Sequence, residues 1–252
     1  GMPKLKLRGS WKPPVHDDPT IREVGDYSTT LLQLLSHPVV ASKEWIIRQY
    51  DHEVQGGSTI KPLQGIRMDG PGNASVTRPL LDSWAGLAVS TGLNPWYSQI
   101  DPYLMAAAAI DEALRNIIAV GGSFERTALL DNFCWGRVQE PQAVGALART
   151  VRACGEISKV LGVPFISGKD SLNNEFTLAN GTSQAILPTL LVSALSVVPD
   201  VRKCVTMDLK APGHLLFIVG KTKAELGASL YHRHYETIGR RMPAVDYDVA
   251  PR

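Results

Sequence analysis

The chain has little of what marks several common functions. Only three of its 252 residues are cysteine, Cys134, Cys154 and Cys204, and none forms a CxxC pair. That spacing excludes a disulfide framework, and the three thiols fit a reducing, cytoplasmic setting as small buried hydrophobes. The six histidines are scattered apart from His232-Arg233-His234, and there is no HExxH or Cys/His cluster for zinc. Basic runs stop at Arg240-Arg241 and Lys221-Thr222-Lys223, and the net charge is only +2, so no nucleic-acid stripe is present. No apolar run nears the roughly 18 residues of a membrane span, and no signal peptide is recognisable. Nucleotide signatures of the commonest kinds are missing too. Asp170 follows Gly168-Lys169 where a Walker A loop needs Ser or Thr, no G-x-G-x-x-G opens a helix, and no Ser/His/Asp order suggests a triad.

What is there is the composition of a soluble globular protein, 44% apolar and 20% charged. Gly1 before Met2 reads as a remnant of tag removal. Residues 1–25 are Lys-, Pro- and Asp-rich, lack periodicity and read as a linker or tail. A short helix is expected over Thr29–Leu35, and strands over Glu44–Tyr50, Ser75–Thr77 and Gly86–Ser90. The clearest helix runs from Pro102 to Val120, with Asp101 as cap, Pro102 in first position and Gly121-Gly122 as the stop. Arg126–Phe133 reads as a strand, Gln142–Leu161 as an amphipathic helix, and Val163–Ile166 as a buried strand ending in a polar turn. Ile186–Val198 is the last strand of this unit. Residues 208–213 look like an inter-domain linker, followed by a strand over His214–Gly220 and a short helix near Lys223–Leu230. The alternation gives an α/β (α+β) domain over residues 26–207. Residues 208–252 are too few to close a second core.

Five places are candidates for chemistry. Past the Val163–Ile166 strand come Lys169, Asp170 and Ser171, a cation, a carboxylate and a hydroxyl, as a set that either satisfies its own backbone or holds a polar ligand. On the long helix Glu112 and Asn116 stand i, i+4 on one face. They can offer two oxygens to Mg²⁺, which takes few protein ligands beside phosphates and water, or pair locally with Arg115 or Asp111. Gly70-Pro71-Gly72-Asn73-Ala74-Ser75 is a small-residue loop whose backbone can approach a ligand, or a plain β-turn. Lys43 can meet a phosphate as a point charge or lie solvated. Glu225-Leu226-Gly227-Ala228-Ser229 is a weaker candidate for an anion-holding turn.

Several stretches together resemble the synthetase portion of the phosphoribosylformylglycinamidine synthase family. They are Gln49-Tyr50-Asp51-His52-Glu53-Val54-Gln55-Gly56, Asp101-Pro102-Tyr103, Asp111-Glu112-Ala113-Leu114-Arg115-Asn116, Leu129-Leu130-Asp131-Asn132-Phe133-Cys134-Trp135-Gly136, Ser167-Gly168-Lys169-Asp170-Ser171 and Met207-Asp208-Leu209-Lys210. The resemblance runs from about Lys43 to Ser229. It implies the fold shared with aminoimidazole ribonucleotide synthetase: a PurM N-terminal-like domain, with a mixed or antiparallel sheet packed by helices, plus the start of a PurM C-terminal-like domain. It also implies the second of two repeated halves, able to hold an auxiliary ATP or ADP with Mg²⁺.

On that resemblance Lys43, Lys169, Asp170 and Ser171 face the nucleotide, while Glu112, Asn116 and Asn73 face the metal. Asn73 stands where the family commonly has aspartate, which removes a negative charge. The family's Asp-Gly-Gly segment would lie beyond Arg252, so a fragment or one piece of a split enzyme is expected. The implied partners are the remaining synthetase domains, a glutaminase subunit or domain and a small-molecule nucleotide substrate. A second copy of the chain, paired through an exposed sheet face, is a further expectation. The rival reading is a scaffold whose nucleotide site has decayed.

Overall fold

The structure, a computed structural model, describes residues 6–23 and 25–248. In chain order its elements are α1 (Tyr27–Ser36), α2 (Glu44–Ile47), β1 (Ser58–Ile60), β2 (Leu63–Gln64), β3 (Gly70–Pro71), β4 (Ala74–Thr77) and β5 (Gly86–Leu93). There follow α3 (Pro102–Ala119), β6 (Thr127–Cys134), α4 (Pro141–Leu161), β7 (Phe165–Ser171), β8 (Glu175–Thr177), β9 (Ser183–Ala185), β10 (Thr189–Val198) and α5 (Leu230–His234).

Six strands form the main sheet in the order β1-β4-β5-β10-β6-β7. All neighbours are antiparallel except β6 and β7, which run parallel because α4 carries the chain back between them. The expected mixed sheet packed by helices is present. β10 alternates strictly, with Leu190, Val192, Ala194, Ser196 and Val198 buried and the residues between them half-exposed. Its buried side meets α3, which also packs on α4, and Cys154 and Ile157 of α4 belong to the same core.

Helix α3 forms as its sequence dictates. The Asp101 carboxylate accepts the N–H groups of Tyr103 and Leu104, and Pro102 takes the first turn. Its buried face is rich in alanine (Ala106, Ala107, Ala109, Ala113), so the helix lies close on the sheet. The contact is tight at Gly92, where a Cβ would fall 1.9 Å from the carbonyl oxygen of Ala109. Helix α4 stops at Gly162 in the left-handed conformation, φ +67°.

Several expectations need correction. Glu44–Tyr50 is not a strand, since α2 occupies Glu44–Ile47. The Lys43 carbonyl accepts from Ile46 and Ile47, Ser42 Oγ accepts from the Glu44 N–H, and Glu44 pairs with Arg48 one turn on. These local bonds outweigh the β-propensity of Trp-Ile-Ile. The polar set at Lys169–Ser171 is not on a turn; it continues β7, since its backbone finds the edge of β6. His214–Gly220 forms no strand. No neighbouring strand pairs with it, and Leu215–Val219 are 78–89% exposed. The helix expected near Lys223–Leu230 begins only at Leu230, because Ala228 takes φ +57° and Ser229 caps the turn beyond. Residues 6–23 have no regular structure, yet part of the segment is tied down. Ser10 N–H donates to Pro141 O, Lys12 exchanges two hydrogen bonds with Gln142, and Trp11 lies 4.1 Å under the Arg149 guanidinium.

Candidate nucleotide site at the free edge of β5

Strand β4 begins only at Ala74, opposite Ser90, so Thr91–Leu93 of β5 run on without that partner. Helix α3 supplies the missing bonds. Glu112 Oε2 accepts the Leu93 N–H at 2.9 Å and the Asn94 amide at 2.8 Å, and Asn116 donates to Thr91 O at 3.1 Å. The expected one-face pairing of Glu112 and Asn116 is observed. Arg115 pairs separately with Asp111. Both hydrogen bonds to Glu112 use Oε2, which leaves Oε1 to meet a ligand. Asn73 is exposed and immediately precedes Ala74, so it stands beside the same stretch of β5.

Three contributors escaped the sequence reading. Asn94 steadies the Glu112 carboxylate. Tyr97 lies near enough that burial, and then the Glu112 charge, push its phenol above the ordinary range. Gln64, only 4% exposed, bridges the small-residue loop and a distant segment. Its Nε2 donates to Ala74 O at 3.5 Å and its Oε1 accepts the Met207 N–H at 3.1 Å. A Cβ on Gly72 would fall 1.9 Å from that Nε2, so a larger residue there would displace the Gln64 side chain. The Asn-Pro step closing β5 was the one visible signal for Asn94.

The other named residues lie elsewhere. Lys169 shares a row of the sheet with Asn132, Leu191 and Leu93 on the side away from α3. Three strand spacings separate it from β5, roughly 14 Å. Its ammonium meets Ser171 Oγ. Asp170 faces Asp131 of β6, whose carboxyl is held above its usual range by burial first and the Asp170 charge second. Lys43 caps α2 and donates to Ala41 O. Most N–H groups of the Glu225–Ser229 turn are already engaged and not free for an anion. Those of Gly227, Ala228 and Ser229 bond Arg241 O, Ile238 O and Leu226 O.

Among the described residues no three His, Cys, Asp or Glu side chains gather as a metal cluster. One carboxylate and two amides at the β5 edge do not make a cage for a free ion. They do fit Mg²⁺ carried on nucleotide phosphates, which needs few protein oxygens.

The family model described as AIR synthase related protein, N-terminal domain, matches residues 71–198, half of the chain. The chain belongs to that family. Its AIR synthase related portion therefore spans β4 to the end of β10 and includes Asn73, Glu112 and Asn116. The chain is 36% identical over 216 residues to the phosphoribosylformylglycinamidine synthase subunit PurL of Anaeromyxobacter sp. (strain Fw109-5), a match covering 84% of this chain and 26% of that protein. In structure it is similar to the PurLQS complex of Thermotoga maritima, with a TM-score of 0.55 at 19% identity over 82% of this chain and 29% of that one. It is similar also to T. maritima PurL complexed with ADP, with a TM-score of 0.54 at 21% identity over 81% and 29%. The resemblance and the fold read from the sequence are borne out. The chain spans about a quarter to a third of the length of the curated relatives it matches.

Proposed function

We propose that this chain serves as a nucleotide-binding portion of a phosphoribosylformylglycinamidine synthase, an ATP-dependent carbon–nitrogen ligase of purine biosynthesis acting in the cytoplasm. The reaction of the whole enzyme activates the amide oxygen of formylglycinamide ribonucleotide with ATP. Ammonia from glutamine then displaces that oxygen, giving the amidine. Such chemistry rests on orientation and phosphate-charge neutralisation rather than on a strong protein nucleophile. The chain corresponds to the second-half N-terminal domain and holds an auxiliary ATP or ADP, with the remaining synthetase domains and a glutaminase as partners.

The observation that carries this reading is the placement of Glu112 and Asn116 over the free edge of β5, beside Asn73. Bound Mg²⁺ would neutralise phosphate charge there. Glu112, fixed by the Leu93 N–H and Asn94, presents Oε1 to it, and the Gly70–Gly72 backbone admits the phosphates. Lys43 and Lys169–Ser171 belong to this reading only if they close on the nucleotide when the remaining domains are in place.

A specific observation favours a second reading. Glu112 and Asn116 already satisfy the β5 backbone, and Asn73 lacks the expected charge, which suits a scaffold with a decayed site. Calorimetric titration with ADP and ATP, with and without Mg²⁺, separates the two. Micromolar, Mg²⁺-dependent binding abolished by Glu112→Ala supports the nucleotide site; heat-silent titrations support the scaffold.

A further inference from the structure

A cavity of about 380 Å³ lies between the turn after α1, the turn at Pro95–Gln99 and α5. That volume is within the range of small-molecule sites, roughly 300–1,000 Å³. Its walls include His37, Trp96, Arg233, His234 and Glu236. The Arg233 guanidinium stacks 3.4 Å from the centre of the Trp96 ring. Stacking occupies one face of the guanidinium and leaves the N–H groups in its plane without acceptors.

The partly buried Arg149 meets a carboxylate, that of Asp101. Among the described residues Arg233 has no ion-pair partner, and burial alone pulls its pKa down. A half-buried cation without a counter-charge is costly unless an anion joins it. His37 adds a donor of fixed sense. Its Nδ1 accepts the Val39 N–H at 3.2 Å, so the neutral ring carries its proton on Nε2.

We propose that this cavity binds a phosphate group, held by the in-plane N–H groups of Arg233 and the Nε2–H of His37 against the Trp96 wall. The tetrahedral dianion suits one bidentate guanidinium and a converging imidazole donor, with His234 at the same cavity. Glu236 is the one carboxylate lining it and sets a like-charge limit on affinity. The cavity shares no lining residue with the β5 edge, though Trp96 lies between Asn94 and Tyr97 in the chain.

The test follows the Trp96 indole N–H by two-dimensional NMR near neutral pH. The chain is titrated with inorganic phosphate, with ribose 5-phosphate and with sodium chloride at matched ionic strength. A saturable Trp96 shift in the millimolar range or tighter with either phosphate, absent with chloride, is the expected result. Tighter binding of the sugar phosphate identifies a monoester as the ligand, and equal binding identifies the free ion. Arg233→Gln is expected to weaken binding about tenfold or more, and Glu236→Gln to tighten it. No Trp96 shift beyond the chloride control, or an unchanged response in both variants, overturns the proposal. Because Glu236 is exposed, its variant keeps the test decisive even if the Arg233 variant fails to fold.

Discussion

The two faces of the main sheet are built from the same strands and carry different chemistry. On the face toward α3 and α4, Val76, Ala88, Leu129, Leu190, Val192 and Ala194 are sealed from solvent. On the other, Val89 and Leu93 remain 41% and 46% exposed, flanked by half-exposed Leu130, Leu191, Leu195 and Val197. Strand alternation normally sorts residues into apolar and polar sides. Here the second side is apolar as well, with Asn132 and Lys169 at one end. A partner surface is the simplest account of this apolar face, and for the isolated chain we expect that partner to be a second copy.

The difference between the faces can be broken most sharply at β5. Gly92→Val should destabilise the fold by about 3 kcal/mol or more, because the new side chain meets the α3 backbone rather than a movable group. Val89→Thr, three positions earlier on the other face, should stay within about 0.5 kcal/mol. Thermal melts of the two variants check the contrast, and comparable losses would mean that both faces are packed in the monomer.

The next effect concerns association. Leu195→Lys, with Val89→Lys beside it across the β5–β10 register, should weaken self-association by about 2 kcal/mol and leave the melting curve of the dilute protein nearly unchanged. Sedimentation at several concentrations reads it out. A wild-type chain that stays monomeric at high concentration refutes the second-copy expectation.

A smaller effect sharpens the comparison from within the covered side. The Asp131 carboxyl binds its proton more tightly in the fold than in the unfolded chain. Its contribution to stability is therefore greatest at acid pH and declines as pH rises through the carboxylate range. Asp131→Asn, which cannot ionise, should gain on the wild type in melting temperature as pH goes from acidic to neutral; a constant offset contradicts this. The smallest effect is chemical. Burial, and then the Asp131 charge, push the Cys154 thiol up to about 12, so it should resist alkylation at mildly basic pH until the protein unfolds. Mass spectrometry of the modified chain decides it.

Much of this fold was legible where its causes are local. The cap and stop of α3, the glycine stop of α4 and the alternation of β10 are written within a few residues of each element. The pairing of Glu112 with Asn116 follows from one helical turn. What escaped depends on distant partners. Whether Lys169–Ser171 is turn or strand is decided by β6, and whether His214–Gly220 extends as a strand is decided by the presence of a neighbour. Gln64 could not be read as part of the site, because its role is set by Met207, 143 positions away. Conversely, Trp-Ile-Ile at 45–47 looked extended because its propensity is strong, and a hydroxyl, a carbonyl and an ion pair were enough to coil it.

The strand order also sets the order in which the molecule can be made. β10, the last strand among the described residues, sits between β5 and β6, which touch no common partner until it arrives. A ribosome that has released α3, β6, α4 and β7 holds two half-sheets with facing open edges, one on either side of an empty slot. Closure is thus a late and long-range event, of the kind that folds slowly and exposes edges meanwhile. A chain that ends before Thr189 lacks the strand that joins β5 to β6, and Thr189–Val198 supplies it.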